Sequence, residues 1–415
     1  MRSRRVVVTG LGALTPLGND VASYWEGLRQ GVSGSALITK FDTEHFKTKF
    51  ACELKGFDAQ NYLDRKEARK MDPCTQYGVI AADEAIRDAG LEGVDPDRAG
   101  VIWGSGIGGL KTFQEEVSDF ATGNGTPRYN PFFIPKMIVD ITPGHISIRH
   151  GFRGPNFATV SACASATHAI IDAYTYIKLD KADVMVTGGS EAAVVEAGVG
   201  GFGAMKALSE RNDSPQTASR PFDHERDGFV LGEGAGALIL EELSHAQARG
   251  ATIYAEIMGN GMTADAYHIT APHPDGVGVK QVMLLALADA GISPESVDYI
   301  NVHGTSTPLG DISEVNAIID VFGEHAFNLN ISSTKSMTGH LLGAAGGIES
   351  IACILAIKNN LVPPTINHFT NDPQIDDRLN LTFNEAQSRD ISVAVSNTFG
   401  FGGHNTSVIF RKFTE

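Results

Sequence analysis

Residues 157–169 read FATVSACASATHA and contain an abrupt change from a strand pattern to a helix pattern. β-Branched residues run up to Val160, and the small residues after Ser161 continue into apolar positions at helical spacing. Cys163 is thereby placed in the first turn of a buried helix, where free backbone N–H groups and the helix dipole favour an anion. We expect a strand-to-helix elbow that lowers the thiol pKa and presents a nucleophile; a small buried core residue is the alternative.

The composition is that of a globular protein with a large core. The chain has 415 residues, of which 42% are hydrophobic, and this length predicts two domains or two fused halves. A net charge of −16 argues against nucleic-acid and acidic-membrane binding, so an acidic partner would need a local basic patch. No apolar run resembles a secretory signal or a membrane span, which predicts a cytoplasmic protein. The four cysteines lack zinc-site spacing and are expected to be reduced thiols.

A glycine-rich segment near the start imitates a dinucleotide-binding fingerprint. Residues 10–15 read GLGALT and follow a predicted strand at residues 5–9. The third glycine of the fingerprint is missing, and no helix pattern starts directly after the segment. We interpret residues 10–15 as a tight turn and expect no bound dinucleotide.

An ordered set of patterns occurs twice, about 200 residues apart. In the first copy a helix ends at Gly90, and a strand at residues 100–103 and a glycine-rich loop follow. In the second copy a helix ends at Gly291, and a strand at residues 299–302 leads to a loop that begins with His303. This order indicates two related α/β units within one chain.

The repeat divides the chain into two halves, residues 1–249 and 250–415. The segment 157–163 of the first half is answered by residues 329–340 of the second, which lead into a helix rich in glycine and alanine. A helix with small apolar residues on all faces, as in residues 341–356, is expected to be buried. We therefore predict two sheets packed through a shared layer of central helices.

Cys163 and two histidines follow strands at corresponding places of the two halves. His303 comes directly after a predicted strand, and His340 precedes the glycine-rich helix. Sites in α/β folds form where strands end, so we expect the three side chains to converge in one pocket. Most of the 13 histidines must be structural or exposed, and a structural role is the alternative for either of these two.

The candidate residues lie in four short motifs, SACAS (161–165), HGTST (303–307), KSMTGH (335–340) and GFGG (400–403). Between them lie three further signatures, RPFD (220–223), RDGF (226–229) and GEGAG (232–236). Together they resemble the β-ketoacyl-acyl-carrier-protein synthases over almost the whole chain. The resemblance is closest to the type II elongating enzymes of fatty acid synthesis, because the initiating synthases pair their Cys and His with Asn.

The resemblance implies an α/β, duplicated thiolase-like fold, layered α-β-α-β-α, with two mixed sheets around buried central helices. It also implies a condensation in which Cys163 takes an acyl group from a carrier thioester and malonyl carrier then loses carbon dioxide. His303 and His340 would donate to the thioester oxygen of the malonyl unit, while backbone N–H groups of Cys163 and Phe401 would form an oxyanion hole. No metal or organic cofactor would be required.

The resemblance alone implies several further sites. Lys335 would lie near the histidines, and Glu349 on the helix that His340 begins; a structural ion pair is the alternative for Glu349. The Phe401 ring would gate the acyl pocket, because the surrounding glycines leave the backbone free to move. The remaining assignments are Gly400 and Gly402 for the gate, Thr305, Thr307 and Thr270 for pantetheine, Ile107, Phe133 and Phe202 for the acyl pocket, and Asn301, Glu349, Ser396 and Asn397 for a monovalent cation.

Two loop features accompany the gate. Residues 265–270 resemble a second mobile segment that faces it. His404 departs from the many relatives that have threonine after the glycine pair, which puts the local loop contacts in doubt. Ile107, Phe133 and Phe202 have plain core positions as their alternative.

A basic stretch suits the recognition of an acidic carrier. Arg65, Lys66, Arg69 and Lys70 fall on one face if the segment is helical, although a solvated surface helix would show the same pattern. The resemblance matches the last three to carrier-docking positions and adds Arg128 and Lys206. The implied partners are acyl carrier protein and a second copy of the chain, joined through the sheet of the N-terminal half.

Other functions use the same residues. A thiol hydrolase could use Cys163 and one histidine, but it would leave the second histidine and the GFGG motif unexplained. A non-catalytic partner subunit of a polyketide synthase would lack the nucleophile. Within the family, a polyketide-type or shorter-chain-specific ketosynthase is the alternative, since pocket depth depends on packing.

Overall fold

Strands and helices alternate along residues 4–414, the part of the chain that this computed structural model describes. The strands are β1 (Val6–Leu14), β2 (Ala36–Leu37), β3 (Phe50–Ala51), β4 (Ala99–Gly104), β5 (Asn156–Thr159), β6 (Val184–Glu191), β7 (Gly234–Glu242), β8 (Ala255–Ala264), β9 (Tyr299–Asn301), β10 (Asn330–Ser332), β11 (Leu361–Val362), β12 (Gln387–Ser388), β13 (Val393–Gly400) and β14 (His404–Arg411). The helices are α1 (Val21–Gln30), α2 (Arg65–Ala68), α3 (Pro73–Ala89), α4 (Leu110–Thr122), α5 (Phe133–Met137), α6 (Ile141–His150), α7 (Ser165–Lys178), α8 (Glu196–Ala204), α9 (Leu243–Ala248), α10 (Val277–Ala290), α11 (Pro308–Phe322), α12 (Lys335–Thr338) and α13 (Ala345–Asn359).

Ten strands form one mixed sheet in the order β10-β9-β13-β14-β8-β1-β7-β6-β4-β5. The strands of the two halves follow the same internal order, so the halves are structural repeats. Strands β1 and β8 join the halves through a short antiparallel seam, in which Val6 pairs with Ile257 and Val8 with Ala255. The two predicted sheets are therefore hydrogen-bonded to each other, because each half leaves its first strand at the edge that meets the other half.

Helices α7 and α13 contact each other between the two halves of the sheet. Helix α7 packs on β4 and β6 of the first half, and α13 packs on β9 and β13 of the second. The outer faces are covered by α3 and α6 in the first half and by α10 and α11 in the second. This α-β-α-β-α layering confirms the predicted fold.

The central helix α13 buries 13 of its 15 residues. A Cβ at Gly346 would come within 1.9 Å of Thr167 Oγ1 on α7, so the glycine permits the close approach of the two helices. By length and composition Leu342–Asn359 could cross a membrane, but 89% of this segment is buried inside the protein. Its apolar residues serve the core, as the pattern predicts.

Strand β1 continues through the segment that the sequence predicts to be a turn. It pairs with β7 as far as Leu14, with one irregularity between Val8 and Gly10. A Cβ at Gly10 would come within 2.3 Å of the Ala85 carbonyl oxygen, and one at Gly12 within 1.9 Å of that of Ala81. The prediction of a tight turn was wrong, because these glycines serve to admit the backbone of α3 against the strand.

The repeated landmarks lie where the sequence places them. Helices α3 and α10 end at Gly90 and Gly291, whose φ angles of 60° and 66° are the left-handed values of a glycine cap. Strands β4 and β9 follow them at the predicted positions. The proposed boundary between residues 249 and 250 falls in the connection from α9 to β8.

Candidate active site

The candidate nucleophile lies on a tight turn between β5 and α7. Residues Ala162–Ala164 form one 3-10 turn, and α7 begins at Ser165, so Cys163 precedes the helix and does not lie in its first turn. Ala162 has a φ of 51°, which is uncommon for a residue with a side chain. The Ser165 hydroxyl holds the turn, because it donates to the Ala162 carbonyl at 2.6 Å and accepts from the Ser161 N–H at 2.9 Å.

Cys163, His303 and His340 line one cavity of about 580 Å³. His340 Nε2 lies 3.0 Å from Cys163 Sγ. The rings of His303 and His340 are 5.2 Å apart and stand at 86° to each other. The convergence that the sequence predicts is therefore present.

Backbone contacts fix His303 directly after β9. Its N–H and that of Gly304 donate to the buried carboxylate of Glu314 at 2.9 Å and 2.8 Å. Burial lowers the pKa of His303 well below its ordinary value, and the nearby charge of Lys335 lowers this pKa further. The imidazole is therefore neutral and offers one N–H donor.

His340 is fixed by different neighbours. Its backbone N–H donates to the Val230 carbonyl at 2.7 Å, and the edge of the Phe229 ring meets its imidazole at 5.4 Å. Burial and the charge of Lys335 again lower the pKa well below the ordinary value, so this imidazole is neutral as well. A neutral ring 3.0 Å from the thiol can accept its proton.

Lys335 and Glu349 form a buried ion pair beside the histidines. Burial raises the pKa of Glu349, and the charge of Lys335 opposes that rise. Because the paired carboxylate lies on a central helix, it fixes the ammonium near the cavity. Helix α13 begins at Ala345 after a 3-10 turn, so His340 precedes this helix and does not begin it.

Burial raises the pKa of the Cys163 thiol to about 12. The charge of Lys335 and hydrogen bonds from the N–H groups of Phe401 and Cys163 lower this pKa, whereas the charge of Glu191 raises it. The sequence predicts a lowered thiol pKa, but desolvation outweighs the groups that lower it. The resting thiol is therefore protonated. The same two N–H groups are placed to bind an oxyanion that forms beside the sulfur.

The GFGG motif forms the tip of the hairpin between β13 and β14. Gly402 and Gly403 have φ angles of 88° and 74°, which residues with side chains rarely adopt. A Cβ at Gly400 would come within 2.7 Å of the Ser161 carbonyl oxygen, so the hairpin tip lies directly against the turn that carries the thiol. Phe401, half-buried, lines the cavity beside it.

Residues 265–270 face the hairpin tip, as expected. Asp265 N–H donates to the Gly403 carbonyl at 2.9 Å, and Gly402 N–H donates to the Ile269 carbonyl at 2.7 Å. His404 packs over the tip, since a Cβ at Gly402 would come within 2.9 Å of its Nε2. The residue that departs from many relatives thus contacts the GFGG segment, the predicted gate.

The three predicted pantetheine residues all line the same cavity. The hydroxyls of Thr305 and Thr307 are 3.0 Å apart and belong to the loop after β9. Thr270 lies across the cavity in the segment that faces the gate. The cavity thus has polar groups near its mouth and the thiol at its inner end.

The three predicted acyl-pocket residues are separated. Phe202 lines the cavity and meets the Phe229 ring at 5.5 Å. Neither Ile107 nor Phe133 is part of the cavity lining within the chain. Ile107 is 38% exposed, and Phe133 stacks with Tyr129 at 5.3 Å in a partly exposed aromatic group.

The predicted carrier-docking side chains are exposed, but the helix that carries the first of them is short. Helix α2 ends at Ala68, so Arg69 and Lys70 follow it and do not continue its face. The exposed carboxylate of Glu67 pairs with Arg149, so it does not neutralise the neighbouring Lys66. The exposed set comprises Lys66, Arg69, Lys70, Arg128 and Lys206.

The predicted cation ligands lie on both faces of the sheet. Asn301 and Ser396 pair across β9 and β13 on the face of the central helices, and each has a buried oxygen without a hydrogen-bond partner. The Asn397 amide instead donates to Met283 Sδ at 3.4 Å on the opposite face. Within residues 4–414, His, Cys, Asp and Glu side chains form no group of three suited to a metal ion.

Two buried glutamates at the site were missed by the sequence reasoning. Glu314 holds the backbone of the first histidine, and Glu191 accepts from the N–H groups of Gly106 and Gly343 at 2.8 Å and 3.0 Å. A glutamate at the end of a buried strand that has no other charged residue, as in β6, was the available signal for Glu191. Glu314 lies on a helix with an ordinary sequence pattern, so no sequence signal indicated its role.

Two family models match this sequence. The model "Beta-ketoacyl synthase, N-terminal domain" matches residues 3–246, and "Beta-ketoacyl synthase, C-terminal domain" matches residues 254–369. A curated 3-oxoacyl-[acyl-carrier-protein] synthase 2 of Staphylococcus aureus is 52% identical over 99% of both chains. The enzyme of that name from Synechocystis is 49% identical over 100% of this chain and 99% of its own.

Solved structures give the same comparison. A β-ketoacyl synthase from Burkholderia phymatum is 37% identical, with a TM-score of 0.92 over 99% of this chain and all of its own. A ketosynthase of a type II polyketide system, solved with its acyl-carrier protein and a bound hexaketide, is 35% identical, with a TM-score of 0.90 over the full length of both chains.

Proposed function

The chain belongs to the β-ketoacyl synthase family, and we propose that Cys163, His303 and His340 carry out its condensation. The enzyme is an acyltransferase that joins an acyl group to a malonyl unit, both held as carrier thioesters, with loss of carbon dioxide. The product is 3-oxoacyl-acyl-carrier protein in fatty acid elongation. The observation that carries the assignment of roles is the 3.0 Å contact between Cys163 Sγ and His340 Nε2, with His303 in the same cavity.

The first step moves the acyl group to the enzyme. The Cys163 sulfur attacks the thioester carbonyl while its proton moves to His340 Nε2, since the thiol is protonated and the imidazole is neutral. The N–H groups of Cys163 and Phe401 bind the oxyanion of the tetrahedral intermediate. The intermediate then expels the carrier sulfur, which takes the proton from His340, and the acyl group remains on Cys163.

The second step forms the carbon–carbon bond. Malonyl carrier loses carbon dioxide, and the negative charge that develops on its thioester oxygen is bound by N–H groups of His303 and of His340, the latter now in the tautomer that carries its proton on Nε2. The resulting carbanion attacks the acyl-Cys163 carbonyl, and the oxyanion is again held by the two backbone N–H groups. Collapse of the intermediate releases a 3-oxoacyl chain longer by two carbons and the Cys163 thiolate, which takes a proton from solvent. The electrons of the broken C–C bond form the new one, so the scheme requires no cofactor.

The acyl pocket is completed by a second copy of the chain in this proposal. Strand β5 lies at the free edge of the sheet, where it can pair with another strand. Beside it, α4, α5 and their connection expose a group of large apolar side chains that a second copy would cover, namely Phe113, Val117, Phe120, Tyr129, Phe132 and Ile134. Ile107 and Phe133 lie on this face, which accounts for their absence from the lining within one chain. Light scattering should give twice the 44.1 kDa chain mass.

The acyl carrier protein docks on the exposed basic side chains around α2. Lys66 and Arg69 are exposed on a protein of net charge −16, and an acidic carrier would be steered to them. Replacing both by Glu should raise KM for carrier-bound substrate about tenfold or more and flatten its salt dependence, with free pantetheine thioesters unaffected.

Arg65→Glu reverses one charge on the same short helix at a position that the resemblance does not match to the carrier, so it should raise KM for carrier-bound substrate less than Lys66→Glu or Arg69→Glu alone. Equal losses with carrier-bound and free substrates would remove the docking assignment, because they would indicate damage to the pocket.

A monovalent cation would be held by Asn301, Ser396 and Glu349. The buried side-chain oxygens of Asn301 and Ser396 have no hydrogen-bond partner and lie on the face of the sheet that meets α13, the helix that carries Glu349, which suits a cation of low charge. Such an ion would supply a fixed charge beside the Lys335 pair. The side chain of Asn397 does not fit the set, because it lies on the other face of the sheet.

Purified protein incubated with acyl and malonyl carriers tests the function as a whole. The condensing enzyme gives a 3-oxoacyl carrier, a thiol hydrolase gives free acid, and a non-catalytic partner subunit gives neither. A series of acyl chain lengths then separates fatty acid elongation from a polyketide-type or shorter-chain-specific ketosynthase. We expect the enzyme to work in the cytoplasm, where such carriers are found.

A further inference from the structure

Arg226, in the RDGF signature, lies buried behind the loop that carries the two cavity threonines. Its side chain is 2% exposed. Nε donates to the Thr307 carbonyl at 3.2 Å, and one Nη donates to the Pro308 carbonyl at 2.9 Å. The guanidinium fork therefore holds two consecutive carbonyls of this loop from inside the protein.

Two buried carboxylates hold the guanidinium in place. Its other Nη donates to Asp372 at 2.7 Å, and Asp311 lies 3.4 Å from Nε. Asp311 on α11 also accepts the N–H of Phe222 at 3.0 Å, and Asp372 accepts the N–H of Gln374 in its own segment at 3.0 Å, so backbone donors fix both acids. Arg226 thus has one orientation, set by two elements that are distant in sequence.

The loop in front of Arg226 needs such support. Ser306, between the two threonines, has a φ of 67°, a left-handed conformation that persists only when the surroundings impose it. Its carbonyl accepts from Gly228 N–H at 3.1 Å, and its hydroxyl accepts from Arg220 N–H at 3.1 Å. Residues of the RPFD and RDGF signatures therefore support this loop from its buried side.

We propose that Arg226 is a positioning residue that fixes the Thr305–Thr307 loop so that both hydroxyls bind the pantetheine arm of the thioester substrates. This inference rests on the proposed function, which assigns the arm to these threonines. The hydrogen bonds described for Arg226 within residues 4–414 lead to carboxylates and backbone carbonyls, and none leads to the thiol or to either histidine. The arm-binding step should therefore depend on Arg226, and the reactivity of the thiol should not.

The test is the rate at which Cys163 is acylated, followed by mass spectrometry of the intact full-length protein. One donor is an acyl-pantetheine, and the other is a thiophenyl ester of the same acyl chain, which has no arm. Arg226→Lys keeps the charge but cannot span both carbonyls and the carboxylate. We expect kcat/KM with acyl-pantetheine to fall about tenfold, mainly through KM, and that with the thiophenyl ester to stay within about twofold.

Arg220→Lys is the matched control. Arg220 is equally buried in the neighbouring signature, but its guanidinium donates to the Thr217 carbonyl at 2.9 Å and stacks on Phe369, without reaching the carbonyls of residues 307 and 308. Arg220→Lys keeps the backbone N–H from which Ser306 accepts, so it should leave the ratio of kcat/KM between the two donors unchanged. Asp372→Asn, which keeps the shape of the side chain, should reproduce part of the Arg226→Lys effect. On a Thr305→Val, Thr307→Val background, Arg226→Lys should add less than about twofold.

Equal losses with both donors would overturn the inference, because they would show a general structural role. An unchanged donor ratio in Arg226→Lys, or the same change in Arg220→Lys, would overturn it as well. If the parental protein became acylated but did not condense, the proposed function would be contradicted. The ratio of kcat/KM between the two donors would still test the role of Arg226.

Discussion

The turn at residues 162–164 and the turn at residues 342–344 occupy equivalent places in the two halves. Each is a 3-10 turn that leads into a central helix, and each begins at a residue with a left-handed backbone, Ala162 at 51° and Leu342 at 48°. The middle residue is Cys163 in the first turn and Gly343 in the second. The cysteine faces the cavity, whereas a Cβ at Gly343 would come within 2.1 Å of the Gly106 nitrogen.

The difference lies in what stands in front of each turn. Glu191 and the loop after β4 fill the space before Gly343, and the Glu191 carboxylate accepts its N–H at 3.0 Å. The space before Cys163 is the cavity, and the loops of the second half supply the histidines that line it. The same 3-10 turn therefore serves close packing in one half and presents the candidate nucleophile to the cavity in the other.

Removing the thiol should have the largest effect. Cys163→Ala should reduce condensation by on the order of 10³-fold or more, because no acyl-enzyme can form, while malonyl-carrier decarboxylation stays measurable. Product assays and release of labelled carbon dioxide measure the two activities separately. Condensation at the parental rate would exclude Cys163 as the nucleophile.

Removing either histidine should give the complementary result. His303→Ala should reduce decarboxylation by about 10²–10³-fold, since one donor to the developing oxyanion is lost, with acylation of Cys163 retained. His340→Ala should lose decarboxylation as well and slow acylation, because the acceptor of the thiol proton is gone. Normal decarboxylation by His340→Ala would mean that His340 is structural.

The second turn should respond to substitution in stability. Gly343→Ala should lower the free energy of unfolding by about 1–3 kcal/mol, since the added methyl overlaps the Gly106 backbone. Cys163→Ala, at the equivalent place, should unfold close to the parental temperature. A thermal scan of both variants compares the two turns directly, and equal stabilities would contradict their different packing.

The smallest effect should be a shift in thiol reactivity. Glu191→Gln removes a negative charge that raises the Cys163 pKa, so this pKa should fall and more thiolate should be present at any pH below it. Lys335→Met should shift the pKa upward, because it removes a positive charge. The rate of iodoacetamide alkylation against pH reports both shifts, and coincident profiles would show that neither charge acts on the sulfur.

The sequence was sufficient where the signal is local. Glycine caps mark the ends of α3 and α10, and small residues on every face mark α13, so the repeated halves and the convergence of Cys163 with two histidines were predictable. The equivalence of the turns at residues 162–164 and 342–344 was harder to predict. Helix α12 lies between β10 and the second turn, so the sequences of the two halves do not align there without a gap.

Long-range packing decided the rest. Gly10 and Gly12 lie in a strand because α3 crosses it closely, and no neighbouring residue in the sequence indicates that approach. Asn397 is an exception, because the alternation of side chains along β13 is a local signal that already separates it from Ser396. The thiol pKa depends on burial by surrounding loops, which a helix-terminus argument leaves out.

The seam between β1 and β8 has a consequence for how the protein is made. Strand β1 is synthesised before the other strands of this ten-stranded sheet and ends in its middle, and its partner across the seam begins near residue 255. At about 5–20 residues per second, roughly 12–50 s of synthesis separate the two strands. During that time β1 has an unpaired edge, and a nascent chain with such an edge is exposed to pairing with a neighbour. The order of synthesis therefore leaves the N-terminal half with an unpaired strand edge until the second half emerges.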